Sequence, residues 1–208
     1  MSHRLQGLVD SIVAATSGLP DAETLRAWSP PLSGDLDLYI DGDGFWFHAG
    51  TPIQREGLVR LFASLLRREV DGDYYLVTPV EKWRIRVERH PLLVIDFDRT
   101  GNNGDTVWFA LLNTGGRCHL GGRYALHPML SDAPAHAPTH VPEYRTHHAD
   151  IENGGPETAR APWLELPNGL SAQLTRASWY RLVEDATIIE DRAAIVSAGV
   201  TIELGSIT

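Results

Sequence analysis

The sequence predicts an α+β protein built from two related ββαββ-type units, each an antiparallel sheet packed on one helix. Three observations predict it. Short runs alternate apolar and polar residues between Gly, Pro and Asn punctuation, the pattern of half-buried strands. One segment places Leu58, Leu61, Phe62, Leu65 and Leu66 at helical spacing. The order strand, turn, strand, helix, strand, turn, strand occurs twice. A chain of 208 residues, 43% hydrophobic and 22% charged, is long enough to bury a substantial core.

Residues 1–27 read as a helical segment. Leu5, Leu8, Val9, Ile12 and Val13 form one amphipathic stripe, interrupted by Gln6 and Asp10, so it is not a secretory signal. A second, weaker helix covers Ala22–Ala27. Trp28-Ser29-Pro30-Pro31 breaks it, because proline cannot continue a helix.

The first domain is expected at residues 28–89. Leu36, Leu38 and Ile40 alternate with Asp35, Asp37 and Tyr39 on a strand. Asp41-Gly42-Asp43-Gly44 is a hairpin turn, and Phe45–His48 is the return strand. Thr51-Pro52-Ile53-Gln54 reads as a helix start, with Thr51 as cap and Pro52 at the first helical position. The helix is expected to run to about Glu69, where Asp71-Gly72 ends it. Tyr74–Val77, the Thr78–Glu81 turn and the alternating Trp83, Ile85 and Val87 follow.

The second domain is expected at 90–208. Its strands are Leu92–Phe97, Thr106–Leu112 and Arg117–Leu120, parted by Gly101-Asn102-Asn103-Gly104 and Gly115-Gly116. Pro128–Pro162 is proline-rich and lacks periodicity, so it reads as a long, partly mobile loop. Trp163–Leu166, the Asn168-Gly169 turn, Leu170–Leu174, a helix over Arg176–Ala186, and strands Ala194–Ser197 and Val200–Leu204 complete it.

The two helices align in detail. Arg55-x-x-Leu58-Val59-Arg60-Leu61-Phe62 matches Arg176-x-x-Trp179-Tyr180-Arg181-Leu182-Val183, and Leu76-Val77-Thr78 matches Ile195-Val196-Ser197. Hairpins flank both helices, so internal duplication is favoured over chance likeness of two amphipathic helices.

Charge excludes several classes of function. With 18 Lys and Arg against 27 Asp and Glu, the net charge is -9, a field that repels phosphate backbones and argues against bulk nucleic-acid binding. No apolar run is long enough to span a membrane. One cysteine, Cys118, excludes an intramolecular disulfide, a zinc ribbon and a CxxC pair. A lone thiol and no export signal make the cytoplasm the expected location.

Several stretches are similar to a known family. Trp28-Ser29-Pro30, Asp43-Gly44-Phe45-Trp46-Phe47, Gly50-Thr51-Pro52-Ile53-x-Arg55, Leu58–Phe62 and Tyr74–Lys82 carry the likeness in the first half. Gly169-Leu170-Ser171-Ala172-x-Leu174-x-Arg176 and Ser197-Ala198-Gly199 carry it in the second. They resemble a bacterial family named as domain of unknown function 1285. The likeness covers most of 28–125 and 161–205 and departs from the family over 128–160. It implies two related α+β domains, the second loosely like a pleckstrin-homology domain, a ligand site between them and a signalling role. No established activity comes with it.

Arg55 and Arg176 are the most informative single residues. Each is expected in the first turn of its helix, where the macrodipole disfavours a cation. A bound phosphate or carboxylate would compensate. So would a protein carboxylate, with Glu81 as the partner for Arg55, and this structural explanation is favoured. Arg60 repeats on the same helix. Lys82, Arg84 and Arg86 form a basic stripe on one strand face; pairing with Asp35 and Asp37 is favoured over a phosphorylated ligand. His136, His140, His147 and His148 could supply metal ligands, but Pro138 disrupts the HxxxH geometry, so a solvated loop is favoured. Asp41 and Asp43 form a turn and not a calcium loop, since Tyr39 and Gly50 fall at the terminal ligand positions. Cys118 reads as a packed strand residue. No GxSxG, Walker or Rossmann motif occurs.

These residues suggest a non-enzymatic ligand-binding or regulatory protein, without cofactor. It would hold a small anion such as a nucleotide between its domains through Arg55, Arg60, Glu81, Lys82, Arg84 and Arg176. The alternatives are a metal-dependent hydrolase using the histidine loop, and a protein-interaction module with exposed aromatics near Trp28, Tyr74 or Trp179.

Overall fold

The protein is described by a computed structural model over residues 19–101, 106–122, 124–128 and 161–206. The amphipathic segment Leu5–Val13, the Asn102-Asn103 turn and His136, His140, His147 and His148 lie outside these residues. Two compact units are present: Met1–Pro91 with Leu166–Leu170, and Leu92–Glu165 with Ser171–Thr208.

The first unit opens with α1 (Ala22–Ala27). Asp21 caps it by accepting the Thr24 N–H at 2.7 Å, a bond that holds the Asp21 carboxyl below its usual range. Arg67 Nη1 donates to the carbonyls of Leu25 and Trp28 at 3.2 and 2.8 Å, which satisfies the helix end. Leu25 packs on Tyr75 and Val77, with Trp28 beside them.

Six strands follow: β1 (Leu32–Ile40), β2 (Trp46–His48), β3 (Thr51–Pro52), β4 (Leu66–Arg68), β5 (Tyr74–Val77) and β6 (Lys82–Val87). Their order in the sheet is β3-β2-β1-β6-β5-β4. Leu36, Leu38 and Ile40 are buried as the alternation requires. Helix α2 (Glu56–Ser64) leads from β3 at one edge to β4 at the other. Its Phe62 is fully buried and stacks on Trp46 with centroids 6.2 Å apart.

Three expectations are corrected here. Thr51 and Pro52 do not start a helix. Ala49 and Gly50 both adopt positive φ, 49° and 71°, and turn the chain back so that Thr51 and Pro52 pair with β2. Proline is tolerated there because β3 is an edge strand. The helix also ends at Ser64, not near Glu69, and Leu66 starts β4. Finally, the sheet is mixed: β1 and β6 are parallel neighbours. Four intervening strands and α2 supply the long connection that parallel pairing needs.

The second unit holds β7 (Leu92–Thr100), β8 (Val107–Leu112), β9 (Arg117–His119), β10 (Leu126–His127), β11 (Trp163–Glu165) and β12 (Ser171–Leu174), ordered β10-β11-β12-β7-β8-β9. This sheet is also mixed, because β12 runs parallel to β7. Helix α3 (Arg176–Glu184) packs on β7. Thr175 caps it, and the buried Ser178 hydroxyl donates to the Val94 carbonyl at 2.8 Å. Strands β13 (Thr187–Ile189), β14 (Arg192–Ser197) and β15 (Val200–Ser206) form a separate three-stranded sheet. Ser197, fully buried, accepts the Trp108 N–H at 3.0 Å and donates to the Leu120 carbonyl at 2.7 Å, tying β14 to the β8–β9 region.

Both units therefore contain a hairpin, a helix and a three-stranded meander in that order. The pairings differ. In the first unit the meander's last strand, β6, pairs with β1; in the second, β12 pairs with β7 and the meander stands apart.

Candidate functional site

The basic stripe is fully engaged with carboxylates of its own unit. Arg84 Nε donates to Asp35 at 2.6 Å and its Nη1 to Asp73 at 3.2 Å. Arg86 lies 3.4 Å from Asp37 and over the Tyr39 ring. Lys82 pairs with Glu69 at 2.6 Å, and Arg67 reaches the same carboxylate at 2.5 Å. Burial opposes ionisation of Glu69, but the Lys82 and Arg67 bonds outweigh it and hold its carboxyl low. Asp35 and Asp37 alternate on β1, Arg84 and Arg86 alternate on the neighbouring β6, and Asp73 and Glu69 complete the pairing of Arg84 and Lys82.

Glu81 does not pair with Arg55. Its backbone is held in the Thr78–Glu81 turn, where the buried Thr78 hydroxyl donates to the Glu81 carbonyl and accepts the Glu81 N–H, both at 3.1 Å. Arg60 lies 3.7 Å from Glu56 on the exposed side of α2. Arg176 is the first residue of α3, exposed, with Nη2 3.4 Å from the Tyr180 hydroxyl and its guanidinium over that ring. Arg55 is the N-cap of α2 and is exposed. No side chain caps that helix, and among the described residues no carboxylate pairs with Arg55. Its carbonyl accepts the N–H groups of Leu58 and Val59 at 2.9 and 3.1 Å. A Cβ on Gly57 would meet nothing within 4 Å, so the first turn is open.

An open groove of about 510 Å³ is lined by Phe45, Trp46, Phe47, Pro52, Ile53 and Gln54; Arg55 is not among its lining residues. The β2–β3 hairpin builds it, with the Ile53 N–H donating to the Trp46 carbonyl at 2.7 Å. Phe45 is 64% exposed. The sequence reading missed this groove, because it assigned Thr51–Gln54 to a helix. Aromatic exposure is also elsewhere than expected: Trp28, Tyr74 and Trp179 are half-buried, while Phe45 and Tyr180 are exposed.

Among the described residues no group of three His, Cys, Asp or Glu side chains is placed to hold a metal. Burial pushes the Cys118 thiol up to about 11, so it is a poor nucleophile at neutral pH. No helix among the described residues is long and apolar enough to cross a membrane.

Comparison with solved structures places the fold. A DUF1285 family protein from Silicibacter pomeroyi DSS-3 is 31% identical, with 96% of this chain and 95% of that chain covered and a TM-score of 0.69. The chain belongs to the DUF1285 family. The family's N-terminal domain, a domain of unknown function, matches residues 24–90. A DUF1285 family protein from Shewanella baltica OS155 is 25% identical, covering 73% of this chain and 94% of that one, with a TM-score of 0.49. No curated protein matches. The DUF1285 stretch Thr78–Lys82 has a structural use here: Thr78 locks the turn and Lys82 pairs with Glu69.

Proposed function

We propose that this DUF1285 protein is a non-enzymatic ligand-binding or regulatory protein that holds a small anionic ligand, with Arg55 as its anion contact. One observation carries the reading: Arg55 heads α2 without a carboxylate partner among the described residues, whereas Lys82, Arg84 and Arg86 are paired. A cation at a helix start is disfavoured by the macrodipole unless an anion joins it. A phosphate or carboxylate would meet both the guanidinium and the uncapped N–H groups of the first turn. We also read the shared order of hairpin, helix and meander as an ancient duplication, supported by the matching arginines Arg55 and Arg176.

The test is a thermal-shift titration with inorganic phosphate and AMP. Binding to the folded state raises the melting temperature. Arg55→Ala should abolish that rise and leave the ligand-free melting temperature within a degree or two. Loss of stability without any ligand effect would make Arg55 structural.

A further inference from the structure

Two backbone demands fix the Asn168-Gly169 turn, and together they place a reactive pair in the fold. Asn168 stands at φ 60° and ψ 31°, a left-handed conformation that asparagine accepts more readily than most residues. Gly169 stands at φ 70°, and a Cβ there would lie 2.8 Å from the Arg68 carbonyl oxygen on β4, so a side chain is excluded. An asparagine followed by a residue without a side chain is open to attack by its own backbone. We propose that Asn168 is a site of self-modification, converted to aspartate or isoaspartate, which the folded Leu166–Leu170 segment keeps latent and local opening of that segment releases.

The reaction consumes only water. The Gly169 nitrogen attacks Asn168 Cγ; the N–Cγ bond forms, the Cγ–Nδ2 bond breaks, and the Gly169 proton leaves with Nδ2 as ammonia. Water then opens the cyclic imide. Cleavage at Cγ gives aspartate; cleavage at the main-chain carbonyl carbon gives isoaspartate, whose backbone is one carbon longer. Ring closure needs the Gly169 nitrogen on the same side of the Cα–C bond as Cβ, whereas ψ 31° holds it on the far side. The segment is kept in that state because the Leu166 N–H donates to the Leu170 carbonyl at 2.9 Å and both leucines are buried. Neither product fits the turn as well. Asn168 Oδ1 is buried without a hydrogen-bond partner among the described residues, so a carboxylate there would be charged and unpaired. An added backbone carbon has no room where even a Cβ on Gly169 would clash.

The experiment incubates the full chain in mildly alkaline buffer, well below its melting temperature, and in denaturing urea. Peptide mapping by mass spectrometry follows residue 168, and chromatography separates aspartate from isoaspartate. Expected is conversion in urea that is at least tenfold slower in the folded chain. Leu170→Ala loosens the segment and should convert at least threefold faster than wild type under folding conditions. Asn168→Asp should melt below wild type. Should Leu170→Ala fail to fold, the wild-type ratio between buffer and urea decides alone. No conversion in urea would overturn the site. Equal rates in buffer and urea would overturn its latency, and a folded Leu170→Ala chain no faster than wild type would overturn release by local opening. An Asn168→Asp melting temperature equal to that of wild type would show that the acid fits the turn and overturn that part of the proposal.

Discussion

Arg84 on β6 and Asp35 on β1 meet across a parallel strand pair at 2.6 Å, which turns an apparent ligand-binding stripe into a ladder of internal ion pairs. Both side chains are substantially exposed, 43% and 69%, so solvent screens the pair. Arg84→Ala should therefore cost only about 0.2–1 kcal/mol at pH 7. The Arg84 bond holds the Asp35 carboxyl below its usual range despite a smaller opposing effect of burial. A depressed carboxylate contributes stability that is complete above the unfolded value, about 4, and is lost as pH falls through the folded value. Urea midpoints of wild type and Arg84→Ala should differ at pH 7 and converge toward pH 3. A cost several times larger, or an equal difference at both pH values, would contradict this account.

Thr78 is the next test, because it assigns a structural reason to a family signature. Its hydroxyl is fully buried and serves the Glu81 carbonyl and N–H at once. Thr78→Val keeps the shape and strands the Glu81 N–H, so it should cost about 1–3 kcal/mol. Thr78→Ser keeps the hydroxyl and should cost less. Denaturant unfolding of the two variants separates hydrogen bonding from packing.

Much of this architecture is legible in the residues, for reasons that also explain what is not. The run Leu36, Leu38, Ile40 against Asp35 and Asp37 declares a strand, since one face is core and the other water. The same Asp positions announce the pairing with Arg84 and Arg86 once the two strands are neighbours. Thr51-Pro52-x-Gln54 misleads because its grammar suits a helix start equally well. What decides is Ala49 in a left-handed conformation, which alanine does not advertise. Leu65 and Leu66 continue the helical spacing, yet both are fully buried at the helix end and in β4. Strand β13 was invisible because all three of its residues are exposed, so no alternation marks it. The groove was hidden for the same reason as β3: it exists only when the hairpin closes.

Gly169 and Gly199 form a matched pair for a prediction about close approach. Their φ angles are +70° and +77°, so an alanine at either position meets similar backbone strain, about 1–2 kcal/mol. Their surroundings differ. A Cβ at Gly169 would lie 2.8 Å from the Arg68 carbonyl oxygen, whereas one at Gly199 would meet nothing within 4 Å. Backbone cannot move aside as a side-chain end can. Gly169→Ala should thus be more destabilising than Gly199→Ala by about 1–3 kcal/mol, the usual cost of overpacking. Equal melting temperatures for the two variants would show that the Leu166–Leu170 segment does not press on β4.

Among the described residues, His90 is a histidine whose burial gives the fold a pH dependence below neutrality. Burial lowers its pKa from 6.5 to about 4, with further help from the cationic Arg89 and Arg68. The sign follows from proton counting. Between pH 6.5 and 4 the unfolded chain binds a proton that the folded chain refuses, so stability rises with pH across that window. It is complete above 6.5 and declines by up to about 1.4 kcal/mol per pH unit on the way down. His90→Gln removes the titration, so the stability difference between wild type and variant should shrink as pH falls from 6.5 to 5, before the carboxylates titrate. A difference that stays flat over that range would mean that the imidazole protonates as readily in the folded protein as in the unfolded chain.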